Sequence, residues 1–62
     1  MGPSNDYELA IARIVDQIAI DGRLTPSSTD EVVAKLDFEM NRFDIEFLLK
    51  YIQWRLDHPI AK

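Results

Sequence analysis

The run Asp44–His58, DIEFLLKYIQWRLDH, constrains the fold of this chain more than any other stretch. At 100° per residue, Ile45, Leu48, Leu49, Ile52 and Leu56 gather on one side of a helix. Phe47, Tyr51, Trp54 and His58 gather almost opposite, at spacings of four, three and four. Glu46, Lys50, Gln53, Arg55 and Asp57 fill the gaps between the two stripes. A helix on the surface of a small domain needs one apolar stripe, whereas two stripes require cover on two sides. The rest of the chain must supply one cover. The second comes either from the same chain, with this helix lying between two others, or from a partner.

The preceding residues supply two more helical patterns. Asn5 followed by Glu8 matches a capping box, with Ser4 as a rival cap. From Asp6 onward Tyr7, Ile11, Ile14 and Ile18 recur at helical spacing, and Val15 widens the stripe. Leu9 and Ile20 fall on the far side. Gly22 can take the left-handed conformation that closes a helix C-terminus. A polar loop follows, and Ser28 with Glu31 three residues later signals the next start. Thr25 with Pro26 at the first helical position is the alternative start. Val32, Val33, Leu36 and Met40 form the second stripe, with Phe38 directed away from it. Asn41 to Asp44 reads as a tight link with Asp44 as the next cap, and His58-Pro59 ends the last helix. The expectation is an all-α, three-helix domain with helices near 6–21, 28–41 and 44–58. It has a lead at 1–5, a single domain at 6–58 and a tail at 59–62.

With 62 residues there is room for one domain, and a chain of that size hides only ~60% of its unfolded surface. No cysteine staples it, so association is the remaining common source of stability. An apolar content of 47% separates it from disordered tails. The net charge of −4 sets its long-range field against nucleic acid and anionic lipid. Uninterrupted apolar runs stop at four residues, where a membrane span needs ~20. No secretory signal pattern opens the chain, and Asp6 stands where a myristoylation signal wants Ser or Thr. The expectation is a soluble cytoplasmic protein.

Few residues in the chain suit catalysis or ligand capture. His58 is the single imidazole, placed at a helix end, and Ser27 and Ser28 lie in a capping loop. Asp30 and Glu31 sit in a first helical turn, where acids are stabilising anyway. Asp37 and Glu39 are two apart and point in different directions. Asp21 precedes Gly22, but the alternating acids of a calcium loop are missing. Two glycines cannot form a phosphate loop. No enzyme activity, cofactor or metal is expected. His58 would respond to mild acid if it belonged to a contact surface, and its plain reading is an exposed helix-end imidazole.

The aromatic stripe is the feature that points to function. Phe, Tyr and Trp are enriched at contact cores, and an exposed row of them would be a liability in a monomer. The expectation is a homodimer or protein–partner interface carried by Phe47, Tyr51, Trp54 and His58, with Phe38 as a further member. A DNA-contacting regulator is the alternative, with Arg42, Lys50 and Arg55 as its phosphate contacts. An acidic inhibitor from a phage or mobile element is another.

Ile14-Val15, Ile18, Asp21-Gly22-Arg23 and Ala34-Lys35-Leu36 together resemble the YmgB/AriR/YcgZ family of small two-component connector proteins. The resemblance spans residues 9–57 and differs in the loop, where Ser27 and Ser28 replace a basic residue. It implies a helical, dimeric regulator that acts by protein contacts and has no catalytic residues to transfer. All these features converge on a small non-enzymatic regulatory or adaptor protein.

Overall fold

Helix-favouring caps and spacing produce α1 at Asp6–Ile20, α2 at Thr29–Lys35 and α3 at Arg42–Asp57. The computed structural model describes residues 2–60, which contain no strand. Position 1 of the lead and positions 61–62 of the tail lie outside the described residues.

Asn5, not Ser4, caps α1: its side chain accepts the Glu8 N–H at 2.8 Å. The Glu8 carboxylate accepts from the Ser4 N–H at 2.8 Å, one residue earlier than a standard box. The helix closes at Gly22, whose φ is +75°. Arg23 N–H donates to Ile18 C=O at 3.1 Å and Gly22 N–H to Ala19 C=O at 3.0 Å. These two bonds form a Schellman closure. Arg23 then reaches Glu31 with both guanidinium nitrogens, at 3.0 and 2.9 Å, tying the loop to α2. That bidentate contact, helped by Lys35, holds the Glu31 carboxyl below its ordinary range.

The second helix differs most from expectation. It covers seven residues and stops at Lys35, not near position 41. Ser28 offers no side-chain cap; its Oγ accepts from the Thr25 N–H at 3.0 Å, while Thr25 Oγ1 accepts from the Ser27 N–H at 3.2 Å. The chain leaves the helix at Leu36, whose ψ of 144° is extended. The cap of the next helix is what bars helix at the expected end, position 41. Asn41 takes φ −86°, ψ −179° and caps α3, with its side chain accepting the Asp44 N–H and the Asp44 carboxylate accepting the Asn41 N–H. An N-cap needs extended backbone, so no helix can run through Asn41. Asp44 is thus the third helical residue of α3 and not its cap, and α3 begins two residues earlier than expected. The intervening Leu36–Asn41 segment turns Phe38 back onto Tyr7 as an edge-to-face pair, 4.9 Å between centroids.

The core forms chiefly between α1 and α3. Ile11, Val15 and Ile18 of α1, Val32 of α2 and Leu48 of α3 are fully buried, with Ala12, Phe47, Tyr51 and Ile52 nearly so. Each of the large ones contributes about 1.5–3 kcal/mol of apolar transfer free energy. Leu9 and Ile20 stay exposed on the far side of α1. No described helix is long and apolar enough to cross a membrane.

Candidate functional site

The aromatic row of α3 is continuous. Phe47 stacks with Tyr51 at 5.4 Å, Tyr51 meets Trp54 tilted at 5.6 Å, and Trp54 stacks with His58 at 4.7 Å between centroids. Its inner members, however, are not a free surface. Phe47 and Tyr51 are 8% and 3% exposed because they pack within the chain's own core. Their expected place at an outside interface is therefore corrected: the chain covers them itself. Trp54 is half-buried against that core and His58 is exposed. His58 Nδ1 lies 2.9 Å from the Trp54 carbonyl oxygen. Phe38, half-buried, packs on Tyr7 and the core margin and also lines a surface groove.

Helix geometry explains the correction. The centres of the two stripes are roughly 150° apart at 3.6 residues per turn. A single broad arc can therefore take the inner edge of each: Phe47 and Tyr51 from one, Leu48 and Ile52 from the other. The outer edges are left out, and on the aliphatic side these are Ile45 and Leu49.

A polar cluster pins this phase. Asp16 of α1 accepts from the Tyr51 hydroxyl at 2.9 and 3.1 Å and from Arg55 Nε at 2.9 Å. Arg55 Nη2 donates to the Tyr51 hydroxyl oxygen at 3.1 Å, and Nη1 donates to the His58 carbonyl at 3.1 Å. The guanidinium also lies over the Trp54 ring, 4.5 Å from its centroid. Burial, reinforced by the Asp16 carboxylate and opposed by Arg55, raises the Tyr51 hydroxyl above its ordinary pKa. No sequence spacing announced Asp16, because its partners lie 35 and 39 residues away.

The uncovered apolar face lies instead on α2 and the first half of α3. Val33, Ile45 and Leu49 are 46%, 43% and 52% exposed. Val33 and Ile45, with Thr29, Phe38, Glu39 and Met40, line an open groove of about 440 Å³. Leu49 extends the Ile45 wall by one turn, about 6 Å along α3. Phe43 is the most exposed large apolar residue at 75%, but it borders a separate hollow with Ser4, Glu8, Glu46 and Lys50. Helical spacing assigns Val33, Ile45 and Leu49 to the aliphatic stripes. For Ile45 and Leu49, distance around the helix from the aromatic stripe is the one available sign that they stay outside.

Other candidate chemistry is committed or dispersed. Of the possible phosphate contacts, Arg55 is held by Asp16 at 2.9 Å and Lys50 by Glu46 at 3.4 Å. Arg42 alone among those three forms no ion pair among the described residues. No group of three or more His, Asp or Glu among the described residues could hold a metal ion. Comparison with protein families, curated proteins and solved structures finds no match for the chain.

Proposed function

We propose that this chain is a small non-enzymatic adaptor or regulatory protein that works by helix-mediated contact with another protein. The observation that carries the reading is the groove between α2 and α3, walled by the exposed Val33 and Ile45, with the exposed Leu49 one turn beyond Ile45 on α3. These side chains sit on a small domain whose core is already complete without them. Contiguous exposed apolar residues are a surface on which another protein can dock. The resemblance to two-component connector proteins points the same way, towards regulation by contact. The catalytic alternative draws no support from His58, which stacks on Trp54, or from Ser28, whose hydroxyl serves the loop. The DNA-contacting alternative is left with Arg42, since Lys50 and Arg55 are taken up within the chain.

Site-specific photo-crosslinking tests the reading. A photoreactive phenylalanine at position 45, on the groove wall, should give one discrete protein adduct in the native cell. The same group at exposed position 13 of α1 should not. Equal labelling from both positions would remove the groove as a docking site.

A further inference from the structure

Asp21–Gly22 is the one place in the chain where glycine follows an aspartate or an asparagine. We propose that this peptide is a self-modification site: its backbone isomerises through a cyclic imide when the closure of α1 opens, and the isomerised chain loses the tie between α1 and α2. The inference stands apart from the docking reading above.

The chemistry needs only water. The Gly22 nitrogen attacks Cγ, the side-chain carboxyl carbon of Asp21. The N–H proton and the carboxyl hydroxyl leave together as water. A five-membered succinimide forms from the Gly22 nitrogen and the Cα, Cβ, Cγ and main-chain carbonyl carbon of Asp21. Water then adds to either carbonyl. Addition at Cγ breaks the new bond and restores aspartate. Addition at the main-chain carbonyl breaks the original peptide bond and leaves Gly22 attached through Cγ. That product is isoaspartate, with a backbone one carbon longer. A side chain at position 22 would crowd the attacking nitrogen, and glycine has none.

The site is open to solvent but held off by its backbone. The Asp21 side chain is 47% exposed. Beyond the neighbouring residues, no atom lies within 4 Å of where a Gly22 Cβ would stand, so the imide and its attacking water have room. Ring closure needs Cβ and the next nitrogen eclipsed about the Cα–C bond. The substituents on Cα are spaced about 120° apart, so eclipsing needs a ψ of about −120°. Asp21 sits at ψ −6° as the C-cap of α1. The Gly22 N–H, whose proton must leave, donates to the Ala19 carbonyl at 3.0 Å. Asp21 must therefore leave the helical range and Gly22 must release Ala19 before the bond can form. The reaction rate then reads the population in which the end of α1 is open.

Arg23 sets that population. Its N–H donates to the Ile18 carbonyl at 3.1 Å, and its guanidinium meets Glu31 at 3.0 and 2.9 Å and Asp21 at 3.6 Å. An added backbone carbon between residues 21 and 22 breaks the spacing that the two closure bonds require. Arg23 then no longer reaches Ile18 and Glu31 together, and a reversible opening becomes a permanent one.

The test incubates the full chain in warm, mildly acidic buffer, native and in unfolding urea. Electron-transfer fragmentation locates isoaspartate, and intact mass detects the imide as a species lighter by one water. Isoaspartate should accumulate at position 21 alone, about tenfold more slowly in the native chain than in the unfolded one. Glu31→Gln, which releases Arg23, should speed the native reaction about twofold. Glu46→Gln, which releases Lys50 on α3, should leave it unchanged. Asp21→Glu, whose ring would be six-membered, should give no isomerised product. In the aged chain the Arg23 amide should exchange its hydrogen faster than in the fresh one. Circular dichroism checks that each variant is folded. Three results would each overturn the proposal: no isoaspartate in the native chain after the unfolded chain has converted, equal rates in the two states, or unchanged Arg23 exchange after conversion. A Glu31→Gln rate equal to wild type would also reject it, since the closure would not then depend on Arg23.

Discussion

Asp16→Ala is the sharpest test of how α1 and α3 are held in phase. The substitution removes the acceptor of the Tyr51 hydroxyl and the ionic partner of Arg55 at one stroke. Breaking a fully buried pair from one side costs about 3–5 kcal/mol, and an exposed pair is worth at most about 1 kcal/mol. The Arg55 and Asp16 side chains are 15% and 32% exposed, so the expected cost lies between, at about 2–3 kcal/mol. A domain of this size has roughly 3–9 kcal/mol in total, so the variant should lose about a fifth or more of its stability. Urea unfolding, followed by Trp54 fluorescence and helical circular dichroism, measures the loss as a lower midpoint at unchanged slope. Arg55→Met keeps an apolar stem against Trp54 and removes the charge. A double-mutant cycle between it and Asp16→Ala should give about 1–2 kcal/mol of coupling. If Asp16→Ala falls within about 0.5 kcal/mol of wild type, or the two changes simply add, the cluster is solvated decoration and the phase is set by packing alone.

Tyr51→Phe keeps the buried ring and loses the hydroxyl, at about 1 kcal/mol near neutrality. Because the folded state raises the Tyr51 pKa above its ordinary 10.0, that contribution is whole below pH 10 and is lost as pH rises through the folded-state value. Wild type should therefore lose more stability than Tyr51→Phe between about pH 9 and about pH 11 in urea melts. Asn41→Ala removes the side-chain half of the α3 capping box and should cost about 1 kcal/mol, read as an earlier thermal midpoint by circular dichroism. Leu48→Ala, at a fully buried position, should cost about 2–5 kcal/mol. Leu49→Ala, at 52% exposure, should stay within about 0.5 kcal/mol; similar losses from the two would contradict the assigned face of α3.

The all-α class, three helices, the Asn5 cap, the closure at Gly22 and the stop before Pro59 are local facts, and all were legible. Each depends on a few neighbouring residues: a side chain that caps, a glycine that accepts positive φ, a proline that forbids a helical predecessor. A break by Asn41 was also local in principle. Asn41 and Asp44 form a box in place of the usual Ser or Thr with Glu or Gln, and the helical spacing of Leu36 and Met40 concealed it.

What spacing could not decide was direction. Periodicity places a residue at an angle around its own helix axis, but the side from which another helix approaches depends on residues distant in the chain. Asp16 meets Tyr51 and Arg55 across 35 and 39 positions, and that meeting turns Phe47 and Tyr51 inward. The same rotation carries Ile45 and Leu49 outward. The sequence alone determined that α3 has more apolar surface than one neighbour can cover. Only the tertiary structure decided that the aromatic residues satisfy the core and the aliphatic edge beside α2 stays uncovered, because burial is a property of the assembled helices and not of any one of them.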